Sequence, residues 1–342
     1  MYFGSDNQTG ASPKVLGMLV EANNEYTHGY GDDRWTDRAI EALKAAFECD
    51  LEAYFVATGT AANSLALSCM VQPWEAILCH DSAHIILDES TAPELFTGGA
   101  RMLSVSNGQG KITPEHLENY FQTIGTDYPH NVRATALSIT QASESGLVYT
   151  PTEISALSRV AKGNGLSVHM DGARFANALV TLGITPAQMT WQAGIDVLSF
   201  GGTKNGCLAA EVVIFFKPEL VGDFPFLQKR AGQLLSKSRF ISAQFEGYLA
   251  DDVWLRNARQ ANTMAQRLSQ GLDALPGIEL AYPTQSNEVF VRMPRSLIKA
   301  LAQQGIKVND EELDGKAMRF VTAWDTSETE VDDLLMVLTA QL

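Results

Sequence analysis

Short apolar runs alternate with stretches of helical periodicity through the middle of the chain, the pattern of an α/β domain around a mostly parallel sheet. Tyr54 to Ala57 predicts a strand, followed by the Gly59-Thr60 turn and a helix from about Ala61 to Val71. Ala76 to Cys79 and Arg101 to Val105 predict two more strands. Thr113 and Pro114 mark a helix start, one as N-cap and the other at the first helical position. Ala136 to Thr140 is a strand, and Pro151 to Lys162 is a helix closed by Gly163-Asn164-Gly165, residues that tolerate positive φ. Strands then follow at Leu166 to Met170, Asp196 to Phe200 and Glu211 to Phe216, with a helix after Ala173.

Past Phe224 the pattern changes. Leu227 to Ser236 and Ala243 to Gln270 read as helices, the second long and rich in Ala, Gln and Arg. A strand near Glu288 to Arg292, a helix from Ser296 to Gln304, a strand near Ala317 to Thr322 and a helix from Glu328 to Gln341 complete the chain. These elements predict a large α/β domain over 1–240 and a small C-terminal α+β domain over 241–342, joined by the long helix.

Composition sharpens this in one respect. The 342 residues are 45% apolar and 19% charged, as expected of a globular chain with a substantial core. Lys plus Arg number 25 against 40 Asp plus Glu, a net charge of −15 that argues against nucleic acid or an anionic membrane surface as partner. Anionic small molecules remain compatible, because local basic groups can outweigh a diffuse negative field. Cys49, Cys69, Cys79 and Cys207 show no metal-ligand or CxxC spacing and read as reduced packing residues. No secretory leader pattern and no run of about 18 apolar residues is visible, so a cytoplasmic location is expected.

Two charged residues at strand ends carry the chemistry. Asp171 stands in Ser167-Val168-His169-Met170-Asp171-Gly172-Ala173-Arg174, and Lys204 in Ser199-Phe200-Gly201-Gly202-Thr203-Lys204-Asn205-Gly206. An acid that can hold a protonated ring nitrogen, followed by a lysine whose amine can attack an aldehyde, suits pyridoxal 5'-phosphate (PLP). Their separation, 204 − 171 = 33 residues, leaves room for one helix and a return strand. Both side chains would then stand at carboxyl ends of parallel strands, where α/β proteins bind ligands. Taken singly, Asp171 could simply cap a helix and Lys204 could be a solvated loop lysine. Gly59-Thr60-Ala61-Ala62-Asn63 follows a strand and opens a helix, so its free amides and helix dipole can hold a phosphate, with the Thr60 hydroxyl adding a donor. Gly201-Gly202-Thr203-Lys204 lacks the GxxxxGK[ST] spacing of a nucleotide P-loop. His84, just past a strand, could stack on a cofactor ring and reach a substrate proton, and His130 is a weaker candidate for such a role. The remaining histidines suggest no metal site.

These segments, with Ser5-Asp6-Asn7, Tyr30-Gly31-Asp32-Asp33, Ala83-His84 and Met318-Arg319-Phe320-Val321-Thr322, resemble the threonine aldolase family of fold-type I PLP enzymes over nearly the whole chain. That family is related to the β-eliminating lyases. The resemblance implies that Lys204 joins the cofactor covalently, that Asp171 pairs with the ring nitrogen and that Gly59 and Thr60 bind the phosphate. It implies that Arg174 sits near the cofactor 3'-oxygen and the substrate carboxylate, which Ser5 and Arg319 help to hold. By the same resemblance His84 is expected to stack on the ring and His130 to come close to the substrate hydroxyl. Arg174 and Arg319 can make the planar, two-pronged contacts that carboxylates favour. Arg230 and Lys237 are candidate phosphate ligands from a second subunit, although the family order of Lys before Arg is reversed here. The implied assembly is a homodimer or homotetramer with shared sites.

The chain departs from the family in three places. Gly-Thr-Lys-Asn-Gly stands for Ser-Lys-Gly at the lysine, and Thr140-Gln141-Ala142-Ser143 for Glu-Asn-Thr-His. Position 88 is Asp where several relatives carry an aromatic, so Asp88 joins His84 and His130 as a candidate base. The expected reaction is retro-aldol cleavage of L-threonine or L-allo-threonine, with aryl β-hydroxy amino acids such as phenylserine as further substrates, to glycine and an aldehyde. A β-eliminating lyase, a transaminase and a non-catalytic PLP-binding protein are the rival expectations.

Overall fold

Two sheets organise the chain. The computed structural model describes residues 1–105, 110–123, 129–313 and 317–342, with backbone alone for 307–313. In chain order the strands are β1 (Tyr2–Phe3), β2 (Glu52–Val56), β3 (Glu75–Cys79), β4 (Arg101–Ser104), β5 (Arg133–Thr140) and β6 (Ser167–Gly172). They continue with β7 (Val197–Gly201), β8 (Glu211–Phe215), β9 (Glu279–Leu280), β10 (Glu288–Arg292), β11 (Lys307–Leu313) and β12 (Ala317–Val321). The helices are α1 (Pro13–Ala22), α2 (Arg34–Phe47), α3 (Gly59–Ser68), α4 (His84–Leu87), α5 (Ala92–Phe96), α6 (Pro114–Thr123) and α7 (Pro151–Gly163). After them come α8 (Phe175–Leu182), α9 (Pro186–Met189), α10 (Phe224–Arg230), α11 (Arg239–Leu249), α12 (Val253–Asp273), α13 (Arg295–Gln303) and α14 (Glu328–Thr339).

The large sheet runs β2-β8-β7-β6-β5-β3-β4. Its β7-β6-β5-β3-β4 portion is parallel, while β8 pairs antiparallel with both β7 and β2. Every residue of β3, β7 and β8 is buried, because helices cover both faces. Successive residues therefore face opposite cores. Leu78, Val212 and Ile214 pack into the layer holding α2, α7 and α8, whereas Ile77, Val213 and Phe215 pack into the layer holding α3. Phe200, near the end of β7, meets Phe47, Phe175, Phe245, Tyr248 and Trp254 at ring separations of 5.3–6.1 Å. Emptying such a position costs about 3–5 kcal/mol, so this aromatic cluster firmly fixes the strand end that leads to Lys204.

The small sheet runs β1-β11-β12-β10-β9 and is antiparallel except for the β1-β11 pair. Its first strand comes from the extreme N-terminus, which carries Ser5 and Asp6 to the border between the two sheets. Two helix expectations need correction. The stretch 243–270 is not one helix: it divides into α11 and α12 at Asp251 and Asp252, both left-handed at φ 53° and 56°. Asp is among the few side chains that tolerate that region, so the two residues turn the chain instead of continuing the helix. The helix expected over 227–236 is α10, three residues earlier at its start and finished by Arg230, with Gly232 at φ 71° just beyond.

Candidate functional site

A cavity of about 790 Å³ opens at the carboxyl ends of β5, β6 and β7. Asp171 is the next-to-last residue of β6, and Lys204 lies in a short 3-10 turn, Thr203–Asn205, directly after β7. That turn approaches the β6 end so closely that a Cβ on Gly201 would lie 2.8 Å from the Ala173 carbonyl oxygen. Only glycine permits this approach.

Asp171 is held rigidly. Its Oδ1 accepts from the Ala173 amide at 3.0 Å and its Oδ2 from Asn63 Nδ2 at 2.8 Å. Beneath it, His169 contacts the hydroxyls of Ser138 and Ser199, each at 2.9 Å, across three neighbouring strands. Burial pushes the His169 imidazole down to about 4, so it stays neutral and structural. Lys204 is half-buried on the cavity wall. The Arg174 guanidinium, followed by burial, lowers its pKa, against the pull of Asp6, Glu288 and Asp171. The neutral amine required of a nucleophile is thereby favoured.

The two expected carboxylate-binding arginines already have partners. Arg174 donates from Nε and Nη2 to Asp6 at 2.8 and 3.1 Å, and its Nη1 lies 3.1 Å from Glu288 Oε1. Arg319 Nη1 reaches the same Glu288 oxygen at 3.3 Å, while its Nε is buried without a partner among the described residues. Asn287 Nδ2 donates to Asp6 Oδ2 at 2.9 Å. Burial alone would raise the Asp6 pKa, yet the charges of Arg174 and Lys204 and the bonds from Arg174 and Asn287 hold it below the usual carboxylate range.

Another group surrounds His84. Its Nδ1 stands 2.8 Å from Glu89 Oε1, which also accepts from Asn63 Nδ2 at 2.9 Å. The His84 backbone amide donates to Glu144 Oε1 at 2.9 Å, as does the Thr140 hydroxyl at 2.8 Å. Burial pushes both Glu144 and Glu211 up to about 7, and Glu211 accepts from the Gly202 amide at 3.1 Å.

The residues present fit PLP. Thr58 caps α3, its hydroxyl accepting from Ala61 N, so the amides of Gly59 and Thr60 ahead of it are left to face the cavity. Nothing lies within 4 Å of where a Gly59 Cβ would stand, which leaves space for a phosphate against the backbone. Opposite that turn, Asp171 and Lys204 offer the acid and the amine that the ring requires. Among the described residues, no group of three or more His, Cys, Asp or Glu is placed to hold a metal ion.

Ser5, Gly59, Thr60, His84, Asp88, Asp171, Arg174, Lys204 and Arg319 all line this cavity. His130 does not. It lies in an exposed turn ahead of Arg133, where β5 begins, whereas Thr140 at the far end of β5 lines the cavity. Eight residues of strand separate the two ends by roughly 26 Å, so His130 cannot serve the cavity of its own chain. Arg230 and Lys237 are exposed and also stay outside the cavity. Sequence reasoning missed Asn63, Glu89, Glu144, Glu211 and Glu288, and it left Asp6 without a role. Asp6 and Asn63 stood inside quoted motifs, but the others carry no local signal.

The sequence matches the family model described as β-eliminating lyase over residues 3–294. It is 43% identical over 332 residues to a low specificity L-threonine aldolase of Pseudomonas sp. (strain NCIMB 10558), covering 97% of this chain and 95% of that protein. Identity to the low specificity L-threonine aldolase of Pseudomonas aeruginosa is 41% over the same coverage. The fold superimposes on a Leishmania major threonine aldolase with a TM-score of 0.92 at 29% identity, covering 99% of this chain and 98% of that one.

Proposed function

Because this chain belongs to the β-eliminating lyase family, and its cavity is built for PLP, we propose that it cleaves L-threonine and L-allo-threonine to glycine and acetaldehyde. Other β-hydroxy-α-amino acids, phenylserine among them, fall within the same reading. The observation that carries it is the convergence of Asp171, Lys204, the α3 amides and Arg319 on one cavity. The fold is that of the fold-type I PLP enzymes.

PLP, when bound, supplies an electron sink for the pair released as the Cα–Cβ bond breaks. Asp171 would hold the ring nitrogen, its carboxylate oriented by Asn63 and Ala173. Lys204 would hold the aldehyde carbon, and the Gly59 and Thr60 amides the phosphate. Arg319 and Ser5 orient the substrate carboxylate, with Arg174 beside them braced by Asp6. Their part is orientation: a carboxylate fixed at two points sets which Cα bond is broken. His84 or Asp88, both on the cavity wall, takes the hydroxyl proton as the bond opens.

The proposal includes a homodimer or homotetramer in which Arg230 and Lys237 meet a neighbour's phosphate. In support, Gln233 between them accepts from the Ala57 amide at 3.0 Å, so their segment runs beside the phosphate turn. Tyr26 and Phe226 are large exposed apolar side chains that a subunit contact would cover. The division into units at 1–240 and 241–342 belongs to the same proposal, supported by the two sheets, as does a cytoplasmic location. No helix among the described residues is long and apolar enough to cross a membrane.

Product analysis tests the function. Incubation with L-threonine should release glycine and acetaldehyde, and Lys204→Ala should lose both the activity and the visible absorbance of the PLP-loaded protein. Ammonia and a keto acid as products would overturn the aldolase in favour of elimination.

A further inference from the structure

The hydrogen-bond pattern around Glu89 decides which nitrogen of His84 can accept a proton. Asn63 uses one amide nitrogen to bridge two acids, Glu89 Oε1 at 2.9 Å and Asp171 Oδ2 at 2.8 Å. The reverse orientation of that amide would set its carbonyl oxygen against two acceptors, so the NH2 assignment is forced. Glu89 Oε1 already accepts the Asn63 N–H, which favours the ionised carboxylate against the burial that raises its pKa. Among the described residues Oε2 is buried with no partner to receive a proton from it. The ionised Oε1 is an acceptor toward His84, so Nδ1, 2.8 Å away, carries the proton. The lone pair of the neutral ring is then on Nε2.

Burial agrees with this division of the ring. The Glu89 side chain is completely enclosed, whereas the His84 side chain is 42% exposed and lines the cavity. The backbone is pinned as well, since the His84 amide is bound to Glu144 on the loop after β5. We propose that Glu89 is a positioning residue that locks His84 in the Nδ1–H tautomer, making Nε2 the acceptor of the substrate hydroxyl proton, and that Asn63 couples this pair to Asp171. The inference rests on the aldolase reading for the identity of the proton, but the tautomer itself does not. It is the logic by which a buried carboxylate orients a catalytic histidine in hydrolases, with the carboxylate five residues along the chain from its histidine.

The charged and titratable groups facing His84 are Glu89 beyond the end of α4, Asp171 on β6, Lys204 after β7 and Glu144 after β5, with Asp88 on the same cavity wall. The Glu89 hydrogen bond is the largest influence raising the His84 pKa, against burial, with Asp171 adding to it and Lys204 opposing it. His84 accepts a proton only when neutral, so kcat/KM should rise with pH through that raised value. Glu89→Gln should move this acidic limb to lower pH.

Two measurements on the PLP-loaded protein test the proposal. In protein carrying 15N-labelled histidine, with the His84 signals identified by their loss in His84→Asn, Nε2 should show the shift of an unprotonated nitrogen above the transition. A non-protonated Nδ1 would overturn the tautomer whatever the reaction proves to be. Glu89→Gln should lower kcat/KM for L-threonine by roughly 10²-fold or more, the usual range for a lost acid–base group. In a His84→Asn background the same change should cost less than about threefold, since residues acting through one another are not additive. Full additive losses, with normal visible absorbance, would show that Glu89 acts elsewhere and would overturn the proposal. A His84→Asn variant of unchanged kcat/KM would do the same.

Discussion

Replacing Asp6 by Asn should destabilise the fold in a manner that depends on pH in a specific direction. Asp6 is 1% exposed and accepts three hydrogen bonds, two from the Arg174 guanidinium and one from Asn287. An asparagine can keep its carbonyl at the Oδ2 position, between Arg174 Nε and Asn287. Its NH2 then faces Arg174 Nη2, donor against donor. Breaking one side of a buried ion pair costs about 3–5 kcal/mol. Glu288 remains 3.1 Å from Arg174 Nη1 and softens the loss, so a value of about 3 kcal/mol at neutral pH is expected. The Asp6 pKa is lowered in the folded chain, so its contribution is complete above the unfolded carboxylate value of about 4 and disappears as pH falls through the folded one. Urea unfolding of both proteins, followed by tryptophan fluorescence between about pH 7 and pH 3, reads this directly. The difference should be flat down to about pH 5 and shrink below about pH 4. A difference under about 1 kcal/mol at pH 7, or one that persists undiminished in acid, would refute the reasoning.

Two further changes probe the site. Arg319→Gln should raise the KM for L-threonine by about 100-fold, the equivalent of one charge-assisted pair of hydrogen bonds, with a smaller effect on PLP absorbance; an unchanged KM would remove Arg319 from carboxylate binding. Gly201→Ala should cost about 1–3 kcal/mol, because its Cβ meets the backbone of Ala173 at 2.8 and 2.9 Å, and neither partner can rotate away. The melting temperature should fall and the visible absorbance of the loaded protein should weaken, since the turn bearing Lys204 is displaced. Unchanged melting would show that the two strand ends have more room than this geometry gives them.

Most strands of the large sheet were legible within one or two residues, because buried strands advertise themselves as short apolar runs. Leu198, Phe200, Val212 and Ile214 have no polar alternative to offer. The break between α11 and α12 was not legible, since Asp251 and Asp252 sit in an otherwise continuous helical pattern and only their φ values reveal the turn. At the site, Asp171, Lys204 and the α3 start could be read because each is local, a strand end followed by small residues. Glu89, Glu211 and Glu288 could not, since each acts by reaching a partner distant in sequence or on another element. Glu288 lies 31 positions from Arg319 and is fixed against it only by the β10-β12 register, Phe290 facing Arg319. His130 stands apart from the cavity of its own chain, because it precedes β5 while the cavity lies at the far end of that strand.

The same geometry changes how a chain of net charge −15 accommodates an anionic cofactor and an anionic substrate. An excess of local positive charge is the obvious solution, and the cavity does not use it. Arg174 and Arg319 are matched by Asp6 and Glu288, and Lys204 is pushed toward its neutral form. Glu89, Glu144, Asp171 and Glu211 then leave the wall rich in acids. Two features offset this. The α3 amides present positive dipole without a countercharge. Glu144 and Glu211, both pushed up to about 7 by burial, can take up protons near neutrality. An arriving anion thus meets hydrogen-bond donors fixed in place and carboxyls that can neutralise themselves. On the proposed reading Arg174 and Arg319, held by their acid partners, would act as rigid guides for the substrate carboxylate. Orientation, more than attraction, is what this arrangement of charges supplies, and a reaction decided by which Cα bond breaks requires orientation most.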